Sequence, residues 1–136
     1  MSRILVVDDE VEIRDILRDL LETEGYEVFE ASDGIEAHKI YSEHSIDVII
    51  LDLIMPKKNG LQSIIDFTKK FPDVKIIVMS GGGLDQLNMA RSFGARYVFS
   101  KPFRMKEMLE AVARLLADED PSFPPDRPLT PGSKDL

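Results

Sequence analysis

Three carboxylates, one hydroxyl and one ammonium stand where they could do chemistry together. They are the adjacent Asp8 and Asp9, then Asp52, then Ser80 ahead of Gly81-Gly82-Gly83, and Lys101 ahead of Pro102. Carboxylates held side by side repel, and their protonated forms gain. A hard divalent cation removes that cost. Mg²⁺ takes oxygen ligands, keeps several waters, and typically uses one or two carboxylates plus phosphate oxygens. The chain has no cysteine and only two histidines, His38 and His44, so the thiolate or imidazole set of a zinc site is missing. Beside a metal, a lysine and a hydroxyl can neutralise and orient the oxygens of a phosphoryl group in transit. Glycines after the hydroxyl leave backbone N–H groups accessible to phosphate. A carboxylate is itself a competent phosphoryl acceptor, giving an acyl phosphate.

Such residues act together only if the chain folds them onto one rim. Four apolar runs, at residues 4–7, 48–51, 76–79 and 97–99, barely alternate with polar residues and read as buried strands. Residues 26–31 (YEVFEA) read as a fifth, more mixed strand suited to an edge. Helical periodicity fills the gaps. One stripe is Val11, Ile13, Ile16, Leu17, Leu20 and Leu21, ended by Gly25. Others follow Asp33-Gly34 and Asn59-Gly60, a weak one ends before Gly94, and the last runs from Met105 to Leu116. Strict β-α alternation means parallel strands, right-handed crossovers and helices on both faces, a doubly wound α/β sheet of five strands and five helices. In such sheets the site lies at the carboxyl ends of the strands, where the strand order reverses. Asp8-Asp9 ends the first strand, Asp52 the third, Ser80 the fourth and Ser100-Lys101-Pro102 the fifth. Asp52, on the most apolar strand, is the natural acceptor.

Each residue alone has a plainer reading. Asp9 with Glu12 fits a helix-capping box. Asp52 could be a turn residue before Pro56, Ser80 a loop hydroxyl bonding its own backbone, and Lys101 a surface lysine. Their joint occurrence at four of five strand ends favours the site.

Composition narrows the classes further. The chain has 136 residues, enough for one domain with a full core, and 43% are hydrophobic. Its net charge is −8, and residues 1–34 alone, with 11 acidic and 3 basic side chains, account for it. That balance argues against nucleic-acid binding. The N-terminal apolar run stops at Asp8-Asp9, too short for a signal peptide or a membrane span, so a cytoplasmic protein is expected. Residues 118–136 hold five of the eight prolines and no apolar period, and read as a flexible tail or a severed linker after a domain of residues 1–117. Nineteen residues are too few for a DNA-binding output domain, which needs about 60 or more. The alternatives are a switch working through protein contacts and a fragment of a longer regulator.

The segments VVDDE at 6–10, DLIMPKKNG at 52–60, MS at 79–80 and KPF at 101–103 resemble the receiver domain of bacterial two-component response regulators, chemotaxis regulators among them. The resemblance runs over residues 3–117. It implies a flavodoxin-like sheet of strand order 2-1-3-4-5. It implies that Asp9 binds Mg²⁺ directly and Asp8 largely through water, that Asp52 is acceptor and ligand, and that the Ile54 backbone carbonyl is a further ligand. Ser80 and Lys101 would contact the phosphoryl group, Lys101-Pro102 would be a cis peptide, and Pro56 and Gly60 would shape the loop after the acceptor. The implied donor is a phosphohistidine on a sensor histidine kinase or histidine phosphotransfer protein. The Gly81–Gly82 loop would follow the phosphoryl group and bias the surface of helix four, strand five and helix five toward an unknown downstream protein.

Two features depart from the family pattern. The position three before the lysine, often aromatic, is Val98, with Tyr97 and Phe99 on either side; an aromatic switch there is in doubt, and the two aromatics are expected in the core. The stretch from Ser80 to Lys101 is about one residue short, so the fourth helix is expected to be displaced or mobile. The positions that tune the attacking water in this family fall on Ile54 and Gly82, neither of which can orient one, so hydrolysis is expected to be slow. A phosphohydrolase of the haloacid dehalogenase type would need an acid at position 54. A docking module that never phosphorylates would be favoured by loss of a site residue, and none is lost. A flavin-binding relative would need a Ser/Thr-rich loop after strand one.

Overall fold

Residues 4–7, 48–51 and 76–79 are all shielded from solvent, which a sheet achieves only when helices cover both of its faces. The computed structural model describes residues 1–54 and 60–117. Pro56 and the Pro-rich stretch 118–136 lie outside the described residues. The elements alternate as the sequence predicts: β1 (Arg3–Val7), α1 (Val11–Thr23), β2 (Glu27–Ala31), α2 (Gly34–Glu43), β3 (Val48–Asp52), α3 (Gly60–Lys70), β4 (Ile76–Ser80), α4 (Leu84–Ser92), β5 (Tyr97–Ser100) and α5 (Met105–Ala117). All strands are parallel, in the order β2-β1-β3-β4-β5. The order reverses between β1 and β3, which opens a crevice at their carboxyl ends.

Side chains alternate across the sheet, so each face has its own core. Ile4, Val6, Val48, Ile50, Ile77, Met79, Tyr97 and Phe99 pack with Leu17 and Leu21 of α1 and Met108 and Val112 of α5. Leu5, Val7, Ile49, Leu51, Ile76, Val78 and Val98 face Ala37, Ile64, Phe67, Leu87 and Ala90 of α2, α3 and α4. Tyr97 and Phe99 are core residues, at 1% and 0% exposure. Val98 points to the opposite layer, so the aromatics beside it do not occupy its place. The fourth helix spans nine residues, and Leu87 and Ala90 seat it in the layer beside Val98.

Local signals set the ends of the helices. Asp33 caps α2, its carboxylate accepting the Glu36 N–H at 2.9 Å. Gly25, past α1, takes φ of +94°, which favours glycine. The capping box suggested for α1 is corrected: the N-cap is Glu10, not Asp9, and no side chain caps it. The shift has a physical cause. Asp8 Oδ1 accepts the Glu10 N–H at 2.9 Å, closing a tight turn that delays the helix by one residue. Asp9 is thereby left exposed at the rim.

Gly60 opens α3 against the backbone that follows Asp52. A Cβ there would lie 2.5 Å from the Leu53 Cα and carbonyl oxygen, and a backbone cannot step aside as a side chain can. Gly81 has open space at the same test. Gly60→Ala is therefore expected to cost about 1–3 kcal/mol in urea unfolding, and Gly81→Ala much less; equal midpoints for the two variants would contradict this packing.

Candidate functional site

β3 anchors the site. Its apolar residues are inaccessible on both faces, and burying each Ile, Leu or Val stabilises by about 1.5–3 kcal/mol. That is enough to carry one carboxylate into poor solvent at the strand's end. Asp52 is 4% exposed and Asp8 is 0% exposed. Register brings them together: Val7 pairs with Leu51, so the next residues on β1 and β3 are neighbours. Hydrogen bonds continue the ladder past the strand ends, from Asp8 N–H to Ala31 carbonyl at 3.1 Å, Leu53 N–H to Met79 carbonyl at 3.0 Å and Lys101 N–H to Ser80 carbonyl at 2.8 Å.

Alternation decides which side chains can meet. Asp8, Asp52 and Lys101 continue the Ile4-Val6, Val48-Ile50 and Tyr97-Phe99 series, all on the α1/α5 face. Lys101 Nζ accordingly lies 3.3 Å from Asp8 Oδ2 and 3.3 Å from Asp52 Oδ2. Glu10 Oε1 is farther, at 3.9 Å. Ser80 continues the Ile76-Val78 series on the other face. Its buried Oγ accepts the Gly82 N–H at 2.9 Å, the plainer reading given above for a loop hydroxyl. Lys101-Pro102 is a cis peptide.

Asp8, Asp9 and Asp52 each offer an oxygen within 4.8 Å of the others. A cavity of about 270 Å³ opens beside them, lined by Asp9, Glu10, Asp52, Ile54, Gly81 and Lys101. An all-oxygen donor set of this size suits Mg²⁺. Ile54, a predicted backbone ligand, lines the cavity and leaves its side chain 55% exposed. Its N–H donates to Asp52 Oδ1 at 3.2 Å. Gly82 stands beside Ser80, and the Gln86 carboxamide oxygen lies 2.5 Å from where a Gly82 Cβ would be. A side chain at 82 would have to displace Gln86.

Electrostatics follow from burial. Desolvation, then the Asp8 charge, push the Asp52 carboxyl above the usual carboxylate range, while Lys101 and the Ile54 N–H oppose the shift. Burial pulls the Lys101 ammonium down, but Asp52 and Asp8 outweigh it and hold the group above its ordinary value. Lysine therefore stays charged, and among the described residues the carboxylate cluster is short of positive charge.

Three participants escaped the sequence reading. Glu10 was visible only as the end of VVDDE, with nothing to say that it faces the cavity. Arg14 donates from Nη1 to the Asp8 carbonyl at 2.7 Å, a contact between side chain and backbone that leaves no spacing signature. Gln86 had no signal at all.

The response regulator receiver domain, as a sequence family, matches residues 4–113 of this chain. Sporulation initiation phosphotransferase F of Bacillus subtilis is 31% identical over 116 residues, covering 85% of this chain and 94% of that protein. Chemotaxis protein CheY of Thermotoga maritima is 36% identical, covering 84% and 97%. The chain spans about half of the aerobic respiration control protein ArcA of Escherichia coli, 48% of its length at 35% identity. Among solved structures, the response regulator protein TrrA of Thermotoga maritima, determined in complex with Mg²⁺-BeF, aligns with a TM-score of 0.78 and 37% identity over 85% of this chain and 99% of that one. The chain belongs to the response regulator receiver domain family, the phosphoacceptor modules of phosphorelay signalling. Among the described residues no helix is long and apolar enough to cross a membrane.

The raised Asp52 pKa has a consequence for stability. A carboxyl whose folded pKa lies above its unfolded value destabilises the fold once ionised, and has no effect where both states are protonated. Asp52→Asn should therefore raise the thermal midpoint of the metal-free protein at neutral pH. The gain should shrink as pH falls through the Asp52 pKa and vanish below the ordinary aspartate value. A gain independent of pH, or a loss at neutral pH, would contradict the assigned cause.

Proposed function

We propose that this chain is a cytoplasmic phosphorylation switch in which Asp52 accepts a phosphoryl group from a phosphohistidine on a sensor histidine kinase or a histidine phosphotransfer protein. The observation that carries the reading is a buried aspartate at a strand end, 3.3 Å from a lysine and clustered with two further carboxylates beside an open cavity. Asp9 and Asp52 would hold Mg²⁺ directly, with Asp8 acting through water and the Ile54 carbonyl completing the protein ligands. Bound there, Mg²⁺ would supply the positive charge that the cluster lacks and that phosphoryl oxygens require.

The remaining chemistry belongs to side chains of the chain. An Asp52 oxygen attacks phosphorus in line; the new O–P bond forms as the P–N bond breaks, and that bond's electron pair stays on the donor imidazole. Lys101 exchanges its two carboxylate partners for a phosphoryl oxygen. Ser80 rotates from its bond with the Gly82 N–H toward another oxygen. Gly81 is exposed with open space around it, so the loop ahead of α4 can follow. The output is a changed α4-β5-α5 surface for a downstream protein. The chain acts as a switch and not as a multiple-turnover hydrolase, because Ile54 stands where a general acid would be needed.

Intact mass after incubation with a small phosphodonor and Mg²⁺ tests the reading. The wild type should gain one phosphoryl group, Asp52→Asn none, and a chelator should abolish the gain. A phosphoryl group retained by Asp52→Asn would overturn the assignment of the acceptor. Lifetime gives an independent check. With an alkyl group at 54 and none at 82, the acyl phosphate should outlast minutes without a phosphatase; loss within seconds in Mg²⁺ buffer would sink that expectation.

A further inference from the structure

Asp8 is gripped through its backbone by a cation that phosphoryl transfer does not use. Arg14, on α1, donates from Nη1 to the Asp8 carbonyl at 2.7 Å. Its Nε donates to Glu30 Oε1 at 3.2 Å, and Glu30 Oε2 accepts Arg18 Nη1 at 2.9 Å. Glu30 belongs to β2, the strand whose Ala31 carbonyl accepts the Asp8 N–H at 3.1 Å. The Arg14 and Glu30 side chains are 16% and 28% exposed, against 40% and 45% in the Arg3–Glu27 pair, which joins β1 to the other end of β2. The inner pair is thus less screened, and a charged donor makes a hydrogen bond roughly twice as strong as a neutral one.

The four polar positions of Asp8 are all engaged. Its N–H reaches Ala31, its carbonyl takes Arg14, Oδ1 takes the Glu10 N–H, and Oδ2 takes Lys101. The carbonyl contact matters most for what comes next. The Asp8 carbonyl and the Asp9 N–H share one rigid peptide plane. Fixing that oxygen fixes the plane, and with it the direction in which Asp9 leaves the strand. Asp9 is exposed, the α1 N-cap is Glu10 with no side-chain cap, and among the described residues no side-chain hydrogen bond steers Asp9.

We propose that Arg14, oriented by Glu30, is a positioning residue for the cation site: it locks the Asp8–Asp9 peptide so that both carboxylates converge with Asp52 before Mg²⁺ arrives. The inference rests on the Mg²⁺ reading above. Groups that orient metal ligands without touching the metal typically change affinity by about 10–100-fold when removed.

Calorimetric Mg²⁺ titration of the full chain tests it, with metal-free thermal midpoints measured in parallel. Arg14→Met keeps the aliphatic stem and removes the donors, and should weaken Mg²⁺ binding about tenfold. Arg14→Lys, which restores a charged donor, should recover part of that loss. Glu30→Gln should weaken binding several-fold by loosening the guanidinium. Arg3→Met, which breaks the more exposed Arg3–Glu27 pair at the other end of β2, should leave the affinity unchanged. A lowered midpoint with wild-type Mg²⁺ affinity in Arg14→Met would make Arg14 a structural brace and overturn the proposal. If Arg14→Met does not fold, Glu30→Gln decides alone, and unchanged affinity there overturns it equally. Failure of the wild type to bind Mg²⁺ overturns the metal site itself and this inference with it.

Discussion

Three carboxylates crowd the crevice between β1 and β3, and among the described residues one ammonium answers them. Two like charges about 4 Å apart repel by about 4 kcal/mol at the effective dielectric of a protein surface. Lys101, placed 3.3 Å from both Asp8 and Asp52, offsets part of this. Burial of the Asp52 carboxyl adds a larger cost than the Asp8 charge does, and together they hold it above its ordinary value despite Lys101. The apolar strands absorb the remainder. The same deficit of positive charge makes a divalent cation, and then a phosphoryl group bound to it, favourable occupants. Site and strain have one origin.

The sheet turns that crowding into geometry. Period-two alternation puts Asp8, Asp52 and Lys101 on the α1/α5 face, so they meet directly. It puts Ser80 on the opposite face, with Val98 in the layer of α4. Ser80 is therefore tied to its own loop through the Gly82 N–H and not to the carboxylates. A group that must move toward Asp52 starts from the face that holds α4. In the proposed cycle, chemistry at one strand end would reach α4 through a single hydroxyl and three glycines.

Much of this was legible in the residues. Apolar runs ending in Asp8, Asp52 and Ser80 announced buried strands because neither face alternates with polar residues. Gly25 announced the end of α1, because it solves a local backbone problem, whereas Asp33-Gly34 marked only where a further helix follows. The capping box at Asp9 and Glu12 misled for an equally physical reason. The motif fits α1 taken alone, but the Asp8 carboxylate captures the Glu10 N–H first and shifts the helix start. Contacts between distant segments left no trace. Nothing in the spacing of Arg14 and Glu30 shows that they bridge α1 and β2, or that Arg14 reaches the Asp8 carbonyl. Gln86 over Gly82 depends on how α4 packs, which a weak apolar pattern does not specify.

The relief of crowded charge by a cation is measurable at one atom. The side-chain carboxyl carbon of Asp52 can be followed by NMR through a pH titration, without metal and with saturating Mg²⁺. Without metal its midpoint should lie above that of an ordinary aspartate, and Mg²⁺ should drive it down, because metal binding requires the ionised form. An ordinary midpoint that Mg²⁺ does not move would contradict the account, leaving Asp52 a strand-end carboxylate with no cation to answer.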